Sequence, residues 1–154
     1  MSVSLLRNVY LFKDMNSEQL ELIHRIAVIK TYEPGASLFV QKDKAHAMYI
    51  IQFGSVKIYQ NTEDGSRVDV AVLAAGSHFG EMSFLDGESR SASVDMVEKT
   101  DILAIDYEQL RNILKEHSNM SIPFYRALSL FLCSRLRQTT TDLKFSRELN
   151  LRHF

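Results

Sequence analysis

Between Tyr32 and about Ile105 the chain carries no helical periodicity, only short β-branched and aromatic runs, each stopped by glycine or by Asp-Gly. Runs of this length and spacing bury apolar surface by pairing with near neighbours, which predicts an antiparallel roll of roughly eight short strands. Glu63-Asp64-Gly65-Ser66 reads as a hairpin connection within it. Before the roll, Asn16-Ser17-Glu18-Gln19 is a capped helix start, followed by Leu20, Ile23, Ile26 and Ala27 at helical spacing. After Asp106 the helical period returns, and Pro123 is expected to separate a segment around Tyr107–His117 from a long helix starting near Ile122. The fold expected is mainly β with flanking helices: an antiparallel, jelly-roll-like β-roll over residues 32–105, a helical arm over 1–31 and helices over 106–154, together one domain.

The segment from Gly80 to Val94 holds a carboxylate, a guanidinium and a glycine-led helical turn. Gly80 lets backbone approach a ligand, and a helical turn over residues 81–85 would point its free N–H groups at an anion. Arg90, past the Asp86-Gly87 turn, supplies a planar fork for two oxygens of one phosphate. Glu81 would repel phosphate but accept a hydrogen bond from a sugar hydroxyl, so the two charges together suit a nucleotide. Read alone, Glu81 and Arg90 fit better as a surface ion pair bridging a loop than as a ligand site, a pair worth about 0–1 kcal/mol.

Other chemistry finds little support. The 154 residues are 45% hydrophobic and 24% charged, enough for one domain with a core. A formal charge of −1 gives no field for nucleic acid. Cys133 is the only cysteine, the start lacks a signal-peptide pattern, and the longest apolar runs fall far short of the ~20 residues that span a bilayer, so no membrane segment and a cytoplasmic setting are expected. The histidines at 24, 46, 78, 117 and 153 are scattered and read as ordinary residues, His78-Phe79-Gly80-Glu81 being the nearest approach to a metal site. No serine or cysteine has a matching base, so an enzyme is not expected. Phe79, Phe84, Leu85 and Val94 read as core, and Tyr49 and Tyr59 as strand residues.

With these residues in view, the chain resembles the cyclic-nucleotide-binding domains of the bacterial catabolite activator protein, protein kinase A regulatory subunits and cyclic-nucleotide-gated channels. The resemblance rests on Phe79-Gly80-Glu81, Arg90-Ser91-Ala92, Tyr32-Glu33-Pro34-Gly35 before a first strand, the strand–turn–strand from Met48 to Tyr59, and Leu73-Ala74-Ala75-Gly76. Gln41-Lys42-Asp43 departs from it, since the family usually has Gly before Asp; Lys42 is expected to alter a surface turn and not the pocket. The resemblance implies that Glu81 accepts the ribose 2′-hydroxyl and Arg90 neutralises the cyclic phosphate. Ser91 and the N–H groups of Met82 and Ser83 complete the cradle, and Gly80 keeps it open.

Leu128, Leu132, Leu136, Thr139 and Leu143 form one stripe of the last helix, which either packs on the roll or pairs with a second copy as a coiled coil. From spacing alone, Thr139 simply bonds back to a helix carbonyl. The resemblance adds that Arg135-Leu136-Arg137-Gln138-Thr139-Thr140 aligns with the segment of the catabolite activator protein whose adjacent hydroxyls reach adenine, one in its own subunit's pocket and one from the partner, which places Arg135, Leu136, Thr139 and Thr140 at the base. A homodimeric cyclic AMP sensor acting on another protein is the leading expectation, with cyclic GMP open. A winged helix-turn-helix follows this helix in the family's transcription factors, and none is expected before Phe154. The alternatives are an interaction dimer with an unused pocket, or a regulatory piece of a longer transcription factor, kinase or channel.

Overall fold

The computed structural model describes residues 3–152. A short helix α1 (Val3–Arg7), a single 3₁₀ turn (Tyr10–Phe12) and α2 (Ser17–Ile26) come first. The capping box forms: Asn16 Oδ1 accepts from the Gln19 amide at 2.9 Å, and Gln19 Oε1 accepts from the Asn16 amide at 3.0 Å.

Eight strands follow: β1 (Ala27–Tyr32), β2 (Ser37–Phe39), β3 (Ala47–Phe53), β4 (Ser55–Asn61), β5 (Arg67–Ala74), β6 (His78–Phe79), β7 (Ser93–Met96) and β8 (Thr100–Asp106). They form two antiparallel sheets of order β1-β8-β3-β6 and β2-β7-β4-β5. Helix α3 (Glu81–Asp86) lies between β6 and β7, and α4 (Tyr107–Glu116) and α5 (Ser118–Arg152) close the chain. The expected β-roll with flanking helices is therefore present.

Strand β3 has two apolar faces. Met48 and Ile50 join a core with the helices, through Leu6, Phe12, Leu20, Leu110 and Phe124. Tyr49 and Ile51 point into the roll, toward Val56, Phe79, Val94 and Ile102. That two-sided burial accounts for the unbroken apolar run Met48–Ile51. At Gly54 the chain turns into the other sheet at φ 87°, where an added Cβ would lie 2.5 Å from the Lys99 carbonyl oxygen.

Two boundaries differ from expectation. Residues 27–31, read as the end of the helical arm, belong to strand β1, paired with β8 from Ala27↔Ile105 to Tyr32↔Thr100. Val28, Ile29 and Thr31 are β-branched, and sheet pairing wins over the helical spacing that ends at Ile26. Helix α5 starts at Ser118, ahead of the expected start near Ile122, and so runs through Pro123. Pro123 is the sixth residue of the helix, so the amide it lacks forgoes one bond, to the Asn119 carbonyl, and burial of Met120 and Phe124 holds the first turns together.

Helix α5 has two parts. Its first half buries Met120, Phe124, Ala127 and Leu128, with Phe131 and Leu132 partly covered. From Cys133 onward every described residue is exposed, including Leu136, Leu143 and Phe145. The leucine stripe thus packs on the body at one end and is uncovered at the other.

Candidate functional site

A cavity of about 430 Å³ opens between the β2–β7–β4–β5 sheet, the 78–94 segment and α5. Phe39, Ile58, Leu73, Phe79, Val94 and Phe131 give it apolar walls; Gly80, Glu81, Met82, Ser83, Arg90, Ser91, Arg135 and Thr139 supply its polar groups. Eight of the residues expected at the site therefore meet in one cavity. Leu136 and Thr140 do not line it, because they lie on other sides of an exposed helix. A second cleft, of about 530 Å³, runs beside the start of α2, but none of its charged side chains is buried.

Helix α3 begins at Gly80 in the left-handed region, φ 86°, and ends at Gly87, φ 72°. A Cβ at Gly80 would lie 3.0 Å from the Arg90 guanidinium and 3.3 Å from the Ala47 carbonyl oxygen. Glycine is needed here for backbone shape and to admit Arg90 beneath it.

Arg90 is buried although it is always charged. Its guanidinium donates to the Tyr107 hydroxyl at 3.0 Å and to the Ala47 carbonyl at 2.6 Å, and lies over the Phe39 ring at 4.2 Å. The Tyr107 hydroxyl in turn donates to the Gly80 carbonyl. Burial raises the Tyr107 pKa, and the Arg90 charge partly offsets that rise. The Arg90 Nε–H is buried without a partner.

Glu81 is also buried, and it does not pair with Arg90 among the ion pairs of the described residues. Its carboxylate instead meets His78 Nδ1 at 3.3 Å. The loop-bridging reading fails, and the two opposite charges stand in one cavity with separate neighbours. His78, taken as an ordinary residue, is buried in the lining, with its ring centroid 4.3 Å from that of Phe131 on α5. Among the described residues no His, Cys, Asp or Glu cluster is able to hold a metal; His153 lies outside them.

Further differences concern neighbours. Leu85, expected in the core, is 47% exposed because the six-residue α3 turns Glu81, Ser83 and Phe84 inward and leaves Leu85 on its outer side. Phe79 and Val94 are core and cavity wall at once. Lys42 is exposed at φ 75°, in the place where glycine is favoured, and does not line the cavity; its turn pairs with the backbone of Arg90, the Lys42 amide donating to the Arg90 carbonyl and the Arg90 amide to the Asp43 carbonyl, both at 2.8 Å. Sequence reasoning also missed Tyr107, Phe39 and Phe131, which come from distant elements. Thr139 and Thr140 bond back to the carbonyls of Arg135 and Leu136, both at 2.9 Å. A hydroxyl so engaged still accepts, so Thr139 presents an acceptor at the cavity.

The arrangement suits a small anion bearing a hydroxyl and a flat apolar part. The model of the family described as "Cyclic nucleotide-binding domain" matches residues 29–117, more than half the chain. The cyclic AMP receptor protein of Thermus thermophilus is 30% identical over 86% of this chain, which spans 60% of the receptor's length. A cGMP-dependent protein kinase of Plasmodium berghei is 29% identical over 80% of this chain and 13% of the kinase. The crystal structure of the Thermus thermophilus catabolite activator protein superposes with a TM-score of 0.78 at 29% identity, covering 88% of this chain and 62% of that one.

Proposed function

The chain belongs to the cyclic nucleotide-binding domain family, and we propose that it is a non-catalytic cytoplasmic sensor that binds cyclic AMP and passes its ligand state to a partner protein. The observation that carries this reading is the pair of buried opposite charges, Glu81 and Arg90, each with its own neighbours in one cavity. Arg90 takes the cyclic phosphate, with Ser91 and the N–H groups of Met82 and Ser83 around it. Glu81 accepts the ribose 2′-hydroxyl. Thr139 accepts from the exocyclic amine of the base. Arg135 flanks the base from the same chain, and Leu136 and Thr140 of a second copy cap it in a homodimer through α5, whose exposed half carries Leu136, Leu143 and Phe145.

Ligand would shift the helix arrangement only by its difference in affinity for the alternatives. Residues 1–154 act as one module. Cyclic AMP is preferred on the strength of the Thermus relative's name, and the Plasmodium relative's name keeps cyclic GMP as the second candidate. An interaction dimer with an unused pocket is the competing reading, favoured by the uncovered apolar face of α5.

Isothermal titration with cyclic AMP, cyclic GMP and linear AMP separates these. Binding of one cyclic nucleotide well above AMP is the expected result. No heat from folded, ligand-free protein would instead leave the interaction dimer as the function.

A further inference from the structure

His78 is an unusual group for this cavity wall. Its side chain is 3% exposed and that of Glu81 10%, so both polar groups have left water. Nδ1 stands 3.3 Å from Glu81 Oε2, while Nε2 is buried with no partner. A carboxylate only accepts, so this contact selects the tautomer with hydrogen on Nδ1. The ring is fixed on its other side by Phe131, at 4.3 Å and 55° between planes. A group held by an aromatic neighbour and donating to one carboxylate oxygen sets the rotamer of that carboxylate. It leaves Oε1 as the oxygen available to a ligand hydroxyl. The N–H dipole also offsets part of the repulsion that Glu81 exerts on a bound phosphate.

We propose that His78 is a positioning residue for sugar recognition: it orients Glu81 and so sets the preference for a ribose over a 2′-deoxyribose cyclic nucleotide. This rests on the cyclic-nucleotide reading given above. Most of the affinity comes from the phosphate and base contacts, which both sugars share, so His78 acts on the difference between them. Ordering the carboxylate beforehand removes the cost of ordering it on binding.

The test titrates the full chain with cyclic AMP and with 2′-deoxy cyclic AMP, and with the corresponding pair of guanine ligands if cyclic GMP binds more tightly. The wild-type protein is expected to prefer the ribose form by about tenfold or more, the worth of a hydrogen bond to a charged group. His78→Phe keeps a ring against Phe131 and lacks the N–H; it is expected to bring the preference down to about threefold or less while deoxy-ligand affinity stays within about threefold of wild type. His78→Leu carries the same expectation should His78→Phe not fold. In a Glu81→Gln background, replacing His78 should leave the ratio unchanged. An unaltered preference in His78→Phe, an equal loss for both sugars, or a further fall of the ratio in the Glu81→Gln background would each overturn the proposal. Failure of wild type to bind any cyclic nucleotide would overturn the ligand reading itself, and this proposal with it.

Discussion

Arg90 is held from two directions, by its own backbone paired with the 42–43 turn and by its guanidinium on Tyr107 and Ala47. Its replacement therefore acts on binding and on folding together. Arg90→Ala should weaken cyclic nucleotide binding by about 2–5 kcal/mol in titration, while Arg90→Lys keeps charge but loses the fork and recovers only part of it. Tyr107→Phe removes the hydroxyl between Arg90 and Gly80, leaving the buried guanidinium without that acceptor, and should cost about 1–3 kcal/mol in denaturant unfolding. Because folding raises the Tyr107 pKa, its contribution is fully present below the unfolded value of 10.0 and is lost as pH climbs above it. Tyr107→Phe should lack that alkaline component of unfolding. Lys42 pays for a left-handed backbone that glycine adopts freely, so Lys42→Gly should stabilise the fold by about 1 kcal/mol, read as a higher denaturant midpoint. Destabilisation would show that the lysine side chain contributes more than its backbone costs.

Helix α5 is the element on which signalling would depend, since it buries one half on the body and leaves the other exposed. Thr139, Thr140 and Thr141 all bond back to the preceding turn, which satisfies their donors within the helix. Changing Thr139 and Thr140 to alanine should thus cost little stability and shift the preference between cyclic AMP and cyclic GMP, measured by parallel titrations. Equal loss for both ligands would remove the threonines from base recognition. At this scale the sequence was a good guide to α2, where the capping box and apolar spacing agree with the structure. It was a poor one for residues 27–31, since a half-exposed strand is fixed by its partner β8, some seventy positions away.

For the whole molecule, two quantities follow. Saturation at about 100 times the dissociation constant should add about 2.7 kcal/mol to unfolding free energy, seen as a raised melting temperature. Light scattering at tens of micromolar should give a dimer, and Leu143→Lys a monomer that still binds ligand, since Leu143 lies outside the cavity lining. The sequence by itself determined the β-roll between helices, because turn glycines and short apolar runs act locally. It also determined the Glu81–Arg90 segment, because both charges and the helical turn between them lie within ten residues. Tertiary structure alone decided that these charges do not pair, that His78 faces Glu81, that Tyr107 holds Arg90, and that Phe39 and Phe131 complete the cavity. Burial and the neighbours across a cavity depend on which distant elements pack together, and one residue's type and spacing do not encode that.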